Sequence, residues 1–127
     1  MNNHRPRGNA AVEFAVALPF LALILAGIID FGRGYSLRVS LTNAAMEGAR
    51  YAASNPDDTP GITTRVSDEL VGGNINSVST AVSPTVPTAG NPVEVTVSYT
   101  WKPFLGSILG VGNQTLRARS TMVVLPG

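Results

Sequence analysis

Few residues in this 127-residue chain have the types that run a reactive site, and their placement excludes most reactions. There is no cysteine, so thiolates, disulfides and cysteine-ligated metals are ruled out, and the single histidine, His4, stands in the short basic stretch at the N-terminus, a poor place for a catalytic base. No glycine motif that would cradle a phosphate appears, and no pair of carboxylates converges at a spacing suited to acid–base work. An enzyme is therefore not expected, nor a cofactor or a metal. What remains is a pair near the N-terminus. Gly8 follows the basic residues His4, Arg5 and Arg7, and Glu13 stands five positions further on, at the mouth of the apolar run Ala15 to Ile29. A glycine lets another backbone come close. A carboxylate carried into an apolar medium costs on the order of 2–3 kcal/mol near mid-membrane, and less near the headgroups, unless a cation meets it.

The element that must position this pair is a helix. Ala, Leu and Ile dominate the run and nothing polar interrupts Phe14 to Ile29. At the standard rise, Ala10 to Ile29 covers roughly 30 Å, the hydrocarbon thickness of a bilayer, whereas Phe14 to Ile29 alone covers roughly 24 Å. Spanning thus takes Glu13 about one turn inside the membrane edge. Two readings of Glu13 are open: it snorkels to the near headgroups without further role, or it neutralises a cation supplied during assembly. Pro19 lacks the backbone donor and predicts a kink or local loosening near Ala15 to Pro19. It is either an ordinary membrane proline or a bend that helps the helix leave the bilayer. A conventional secretory signal would end at a small-residue site, and Ala22 to Gly27 offers a poor one because Ile24 stands where a small residue is wanted.

Three blocks carry a family resemblance. Arg7-Gly8-Asn9-Ala10-Ala11-Val12-Glu13-Phe14-Ala15 with Leu18-Pro19 is the first, and Gly27-Ile28-Ile29-Asp30-Phe31-Gly32-Arg33 the second. Leu41-Thr42-Asn43-Ala44-Ala45-Met46-Glu47-Gly48-Ala49-Arg50-Tyr51-Ala52 is the third. A glycine junction with Glu five residues downstream is the type IV prepilin cleavage pattern. In this order and spacing, over the first two-fifths of the chain, the blocks resemble the TadE/TadG pseudopilins of the tight-adherence (Flp) pilus system. The resemblance implies cleavage between Gly8 and Asn9 by a prepilin peptidase. It also implies that Glu13 meets the new terminal ammonium of a neighbouring subunit. The residue after the junction is Asn9 rather than the Phe that is usually N-methylated. The implied partners are the peptidase, sibling pilin or pseudopilin subunits, the inner-membrane assembly machinery and membrane lipid. Arg33, Arg38 and Arg50 beyond the run offset the leader's charge, so orientation rests on the resemblance, which implies a cytoplasmic N-terminus and an extracytoplasmic domain.

The expected organisation is a basic leader over 1–8, a transmembrane segment over 9–30 and an exported domain over 31–127. With 44% hydrophobic residues, the length suits one small domain plus an anchor. The formal charge of +1 becomes −1 when Arg5 and Arg7 leave with the leader, so no basic patch argues for nucleic acid. Beyond Asp30 the helix is expected to continue to Ser54, burying Phe31, Tyr35, Val39, Thr42, Met46, Ala49 and Ala53. Arg33, Ser36, Ser40, Asn43, Glu47 and Arg50 face the other way. Asp30 with Arg33, and Glu47 with Arg50, stand at i,i+3 and are read as solvated surface charges. A flexible point or a closely packed neighbour is expected at Gly32-Arg33-Gly34.

Asn55-Pro56 ends this helix, and Asp57-Asp58 read as part of a helix cap rather than a metal loop, because no acidic residues follow at ligand spacing. Thr59 is expected to cap a second helix, Pro60 to Val71, that buries Ile62, Val66 and Leu70 and closes at Gly72-Gly73. A period of two then predicts strands at Val78–Val82, Val93–Trp101 and Leu116–Val124, with Arg117 and Arg119 outward. The fold class is α+β: a long helix, half membrane-spanning and half amphipathic, a short second helix and about three antiparallel strands packed on the helix. Between the last two strands Phe104, Leu105, Ile108 and Leu109 lie in an apolar, glycine-rich connection. It either tucks over the sheet edge as core or contacts another subunit or the membrane surface. The reading overall is a pseudopilin or minor pilin acting in pilus assembly and surface adhesion, against a membrane-anchored binding or adhesion domain that never joins a pilus.

Overall fold

The computed structural model describes residues 7–70 and 78–126. Helix α1 spans Arg7–Ser54 without a break, through Pro19, and at the standard rise is about 72 Å long. It begins about one turn earlier than the apolar pattern predicts, so Gly8 and Asn9 lie inside it. Helix α2 (Thr59–Glu69) follows, then β1 (Val78–Ser83), β2 (Pro92–Trp101), the short helix α3 (Phe104–Leu109) and β3 (Gln114–Val123). The strands form one antiparallel sheet in the order β1-β2-β3. The expected close of α2 at Gly72-Gly73 lies outside the described residues.

Register places like with like on the inner face. Val95 stands opposite Val82 and Ser120, Val97 opposite Thr80 and Ala118, and Tyr99 opposite Val78 and Leu116. Val93, Val95 and Val97 are fully buried in the core beneath α1, while Arg117 and Arg119 point outward as the alternation requires. Arg119 reaches Glu94 across the outer face at 3.8 Å. Beyond β3, Val124 is buried and the Leu125 N–H donates to the Ala53 carbonyl at 2.8 Å, which fastens the last stretch of chain to the end of α1.

The buried face of α1 is not the one its large apolar residues predict. Leu41, Ala44, Ala45, Gly48, Ala49, Ala52 and Ala53 form the core face with Ile62, Val66 and Leu70 of the α2 region and the β2 valines. Phe31 is 77% exposed and Tyr35 66%; Val39, Thr42 and Met46 are exposed too. Only Ala49 and Ala53 of the expected stripe are buried, because its centre lies about a quarter of a turn from the true one. The physical reason is distance. A Cβ on Gly48 would stand 2.6 Å from Val66 Cγ2 and 3.2 Å from Val95 Cγ1, so α2 and the sheet both close on the helix backbone itself. A face of Phe, Tyr and Met could not admit two neighbours at that range.

Two glycines of α1 therefore respond oppositely to the same substitution. Gly48→Ala gains helix propensity but forces methyls of two buried, stiff valines apart, a mismatch that costs about 1–3 kcal/mol. Nothing lies within 4 Å of a Cβ on Gly32, so Gly32→Ala should keep the propensity gain of up to about 1 kcal/mol. Thermal melts of the full chain in detergent should show the Gly48 variant lowered and the Gly32 variant level or raised. A Gly48 variant as stable as the wild type would mean that α2 does not pack this closely. The expected close neighbour in the Gly32–Gly34 stretch is found at Gly34, where the ring of half-buried Trp101 comes within 3.2 Å of a Cβ position.

Candidate functional site: junction, span and assembly face

Gly8, Asn9, Glu13 and Pro19 all lie on the first part of α1, where every residue from Gly8 to Leu25 is exposed. Nothing stands within 4 Å of a Cβ on Gly8. Any need for glycine there has to come from a partner that grips the chain, not from this fold. Glu13 lies within a helix that is long and apolar enough to cross a membrane, and the apolar window of that helix is unburied. Leu23, Ile24, Ile28 and Ile29 offer bare hydrocarbon to the surroundings, as lipid-facing residues do.

Past the apolar run, the exposed side chains of Phe31, Tyr35, Val39 and Met46 continue the apolar surface down the second half of α1. Tyr35, Arg38, Val39, Thr42 and Asn43 line a shallow depression on this face. The domain covers a different side, so α1 carries two packing surfaces, one filled and one free.

Asp30 closes the apolar run, and sequence reasoning misplaced it. It is 7% exposed rather than solvated. In place of pairing with Arg33, its carboxylate accepts the backbone N–H groups of Phe104 at 2.9 Å and Leu105 at 2.7 Å. These are the orphan donors of α3, whose own N-cap residue is Pro103 and supplies no side-chain acceptor. The apolar connection is thus a one-and-a-half-turn helix clasped to α1, closed by Gly110 at φ 73°. Leu105 turns towards Gly27, 3.4 Å from where a Cβ would be, and Gly106 is buried. Phe104, Ile108 and Leu109 remain about 60% exposed. A signal was present in the sequence: a proline before an apolar segment leaves a helix start uncapped, and Asp30 is the one carboxylate next to the run's end. The other i,i+3 pair does form, with Arg50 Nη1 3.4 Å from Glu47 on the surface.

The α1–α2 corner is held by a polar clamp. Asp58, not Thr59, caps α2: Oδ1 accepts the Gly61 N–H at 3.0 Å and Oδ2 accepts the Tyr51 hydroxyl at 2.7 Å. The capping oxygen comes from one residue earlier because Asp58 can serve both partners at once. The Tyr51 hydrogen bond, with that of Gly61, holds the Asp58 carboxyl below its usual range. The same bond to Asp58 pushes the Tyr51 phenol up. Arg65 lies 5.3 Å from the Tyr51 ring centroid. A Cβ on Gly61 would collide with the Asp58 carboxylate and stand 2.8 Å from Tyr51, so glycine is required for the corner to close. Among the described residues no group of three or more His, Cys, Asp or Glu is gathered to hold a metal.

A membrane-length exposed helix carries a small α+β domain on one side of its far half. Residues 8–50, about a third of the chain, match the family model for TadE-like protein, and over that segment the chain is similar to this family. The match covers the junction, the span, Asp30 and most of the α1 core face; α2, α3 and the sheet lie beyond it. The family is associated with the tight-adherence pilus and is structural rather than catalytic. No curated protein and no solved structure was found to match.

Proposed function

We propose that this protein is a pseudopilin or minor pilin of the tight-adherence pilus or a related secretion machinery, acting in pilus assembly and surface adhesion. A prepilin peptidase cuts it after Gly8. The span stores the subunit in the bacterial inner membrane, with the N-terminus cytoplasmic and the domain outside, until assembly machinery withdraws it into a bundle of sibling helices. Glu13 then meets the terminal ammonium of a neighbour.

The observation that carries this reading is the free face of α1. Phe31, Tyr35, Val39 and Met46 are large, exposed and spaced for helix–helix packing, and the domain that could have covered them packs elsewhere. An anchored adhesion domain has no use for a second apolar face on its stalk.

The chain has no cysteine, so single thiols report neighbours cleanly. Val39→Cys and Met46→Cys should give crosslinked adducts to sibling subunits in cells that assemble pili, and Thr63→Cys on the exposed side of α2 should not. Equal crosslinking at all three positions, or none at Val39 and Met46, would favour an anchored domain outside any pilus.

A further inference from the structure

We propose that α3 is a membrane foot: Phe104, Ile108 and Leu109 enter the outer surface of the bilayer that α1 crosses, and Asp30 ties this foot to α1, fixing the depth at which the helix sits. The inference rests on the reading of α1 as a membrane span and adds a second, peripheral contact with lipid.

The level of α3 along α1 is set by three contacts. Asp30 holds the Phe104 and Leu105 N–H groups, and Leu105 lies against Gly27. All fall in the last turn of the apolar run. At that level Ile24, Ile28 and Ile29 of α1 are exposed. Whatever surrounds them in a membrane surrounds α3 as well.

The chemistry of α3 fits that place. Its outer side chains are apolar, Val111 beyond it is exposed too, and Ser107 is the only polar side chain within it. Exposed Lys102 stands just before it, suited to anionic headgroups. At the edge of a bilayer a helix start without hydrogen-bond partners is costly, because water is scarce. A buried carboxylate that accepts two N–H groups removes that cost, which gives Asp30 a reason to be where the apolar run ends. Lipid is favoured over a sibling subunit because the packing face of α1, Phe31 to Met46, lies on a different side from Asp30 and the domain.

Depth follows from length. With Asp30 held at the outer surface, the roughly 30 Å from Ile29 back to Ala10 brings Gly8 and Asn9 to the inner surface. Glu13 then sits one turn inside it.

The test uses full-length single-cysteine variants bearing an environment-sensitive fluorophore, reconstituted at high dilution in phosphatidylethanolamine/phosphatidylglycerol vesicles. The label positions are Ile108→Cys, Leu109→Cys, Ile24→Cys in the span and Thr63→Cys on α2. Quenching by a shallow nitroxide lipid should be at least threefold stronger at 108 and 109 than at 63, with iodide quenching correspondingly weaker. Asp30→Ala should return the 108 label to the behaviour of 63 while 24 stays in lipid. If 108 and 109 behave like 63 while 24 is lipid-quenched, α3 is in water and the proposal is overturned. Protection from iodide that appears only as the protein-to-lipid ratio rises would assign α3 to a second subunit and also overturn it. Labels still in lipid in Asp30→Ala would remove the tether. Failure at position 24 would instead sink the membrane-span reading itself.

Discussion

Glu13→Gln should yield a chain that is cut and inserted but absent from pili, if the proposed assembly role of Glu13 holds. Gln removes the cost of holding a charge at membrane depth, so insertion should be at least as efficient. The side chain is exposed on α1, with no fold contact to lose. In an assembled bundle the neighbour's terminal ammonium would be left without its counter-ion, and an unpaired buried charge costs about 3–5 kcal/mol. That is enough to empty the assembled state. Mass analysis should find the mature chain in the membrane, while Val39→Cys crosslinks and surface pili are both lost in the Gln background. Normal pili would make Glu13 a snorkelling residue and the chain an anchored domain with a pilin-like leader.

The second large effect is on processing. Gly8→Leu should leave the full-length chain, read as the intact mass of the membrane-extracted protein with and without the peptidase. Because nothing among the described residues lies within 4 Å of a Cβ on Gly8, leucine disturbs no packing there, and a loss of processing would belong to the encounter with a peptidase. Two forces act in the same direction. A side chain obstructs a peptidase that must grip the backbone closely. Leucine also favours the helix by up to about 1 kcal/mol over glycine, and in this structure Gly8 and Asn9 are already helical, so a peptidase that needs extended chain there would have to unwind them. Mature protein beginning at Asn9 from this variant would defeat the assignment of the junction.

Where a pattern depends on the chain alone, the sequence foretold the structure well. The strands, their inward valines, the outward Arg117 and Arg119, and the Ile62, Val66 and Leu70 face all follow from local period and burial. The buried face of α1 did not, because hydrophobic size was taken as a guide to burial on a helix with two apolar faces. Gly48 and the alanines are weakly apolar one by one, yet their smallness lets Val66 and Val95 approach. The role of Asp30 was hidden for another reason. Its partners are 74 and 75 residues away, and no local rule links a carboxylate to the start of a distant helix. Asp57-Asp58 were read as part of the cap, but the capping position itself was given to Thr59, because Thr59 followed by proline satisfies the local cap pattern while the second bond of Asp58, from Tyr51, is made across the corner.

The domain lies along α1 rather than on its tip, and this matters once the helix bears tension. Its attachments run from Asp30 to Ala53, about 35 Å by the helical rise, and end where the Leu125 N–H meets the Ala53 carbonyl. A pull along the helix axis cannot peel the sheet away one contact at a time. It loads the valine–glycine–alanine seam in shear, with α3 clasped at one end and the final stretch of chain fastened at the other. A subunit gripped through its domain would transmit force into α1 over nearly half the length of that helix.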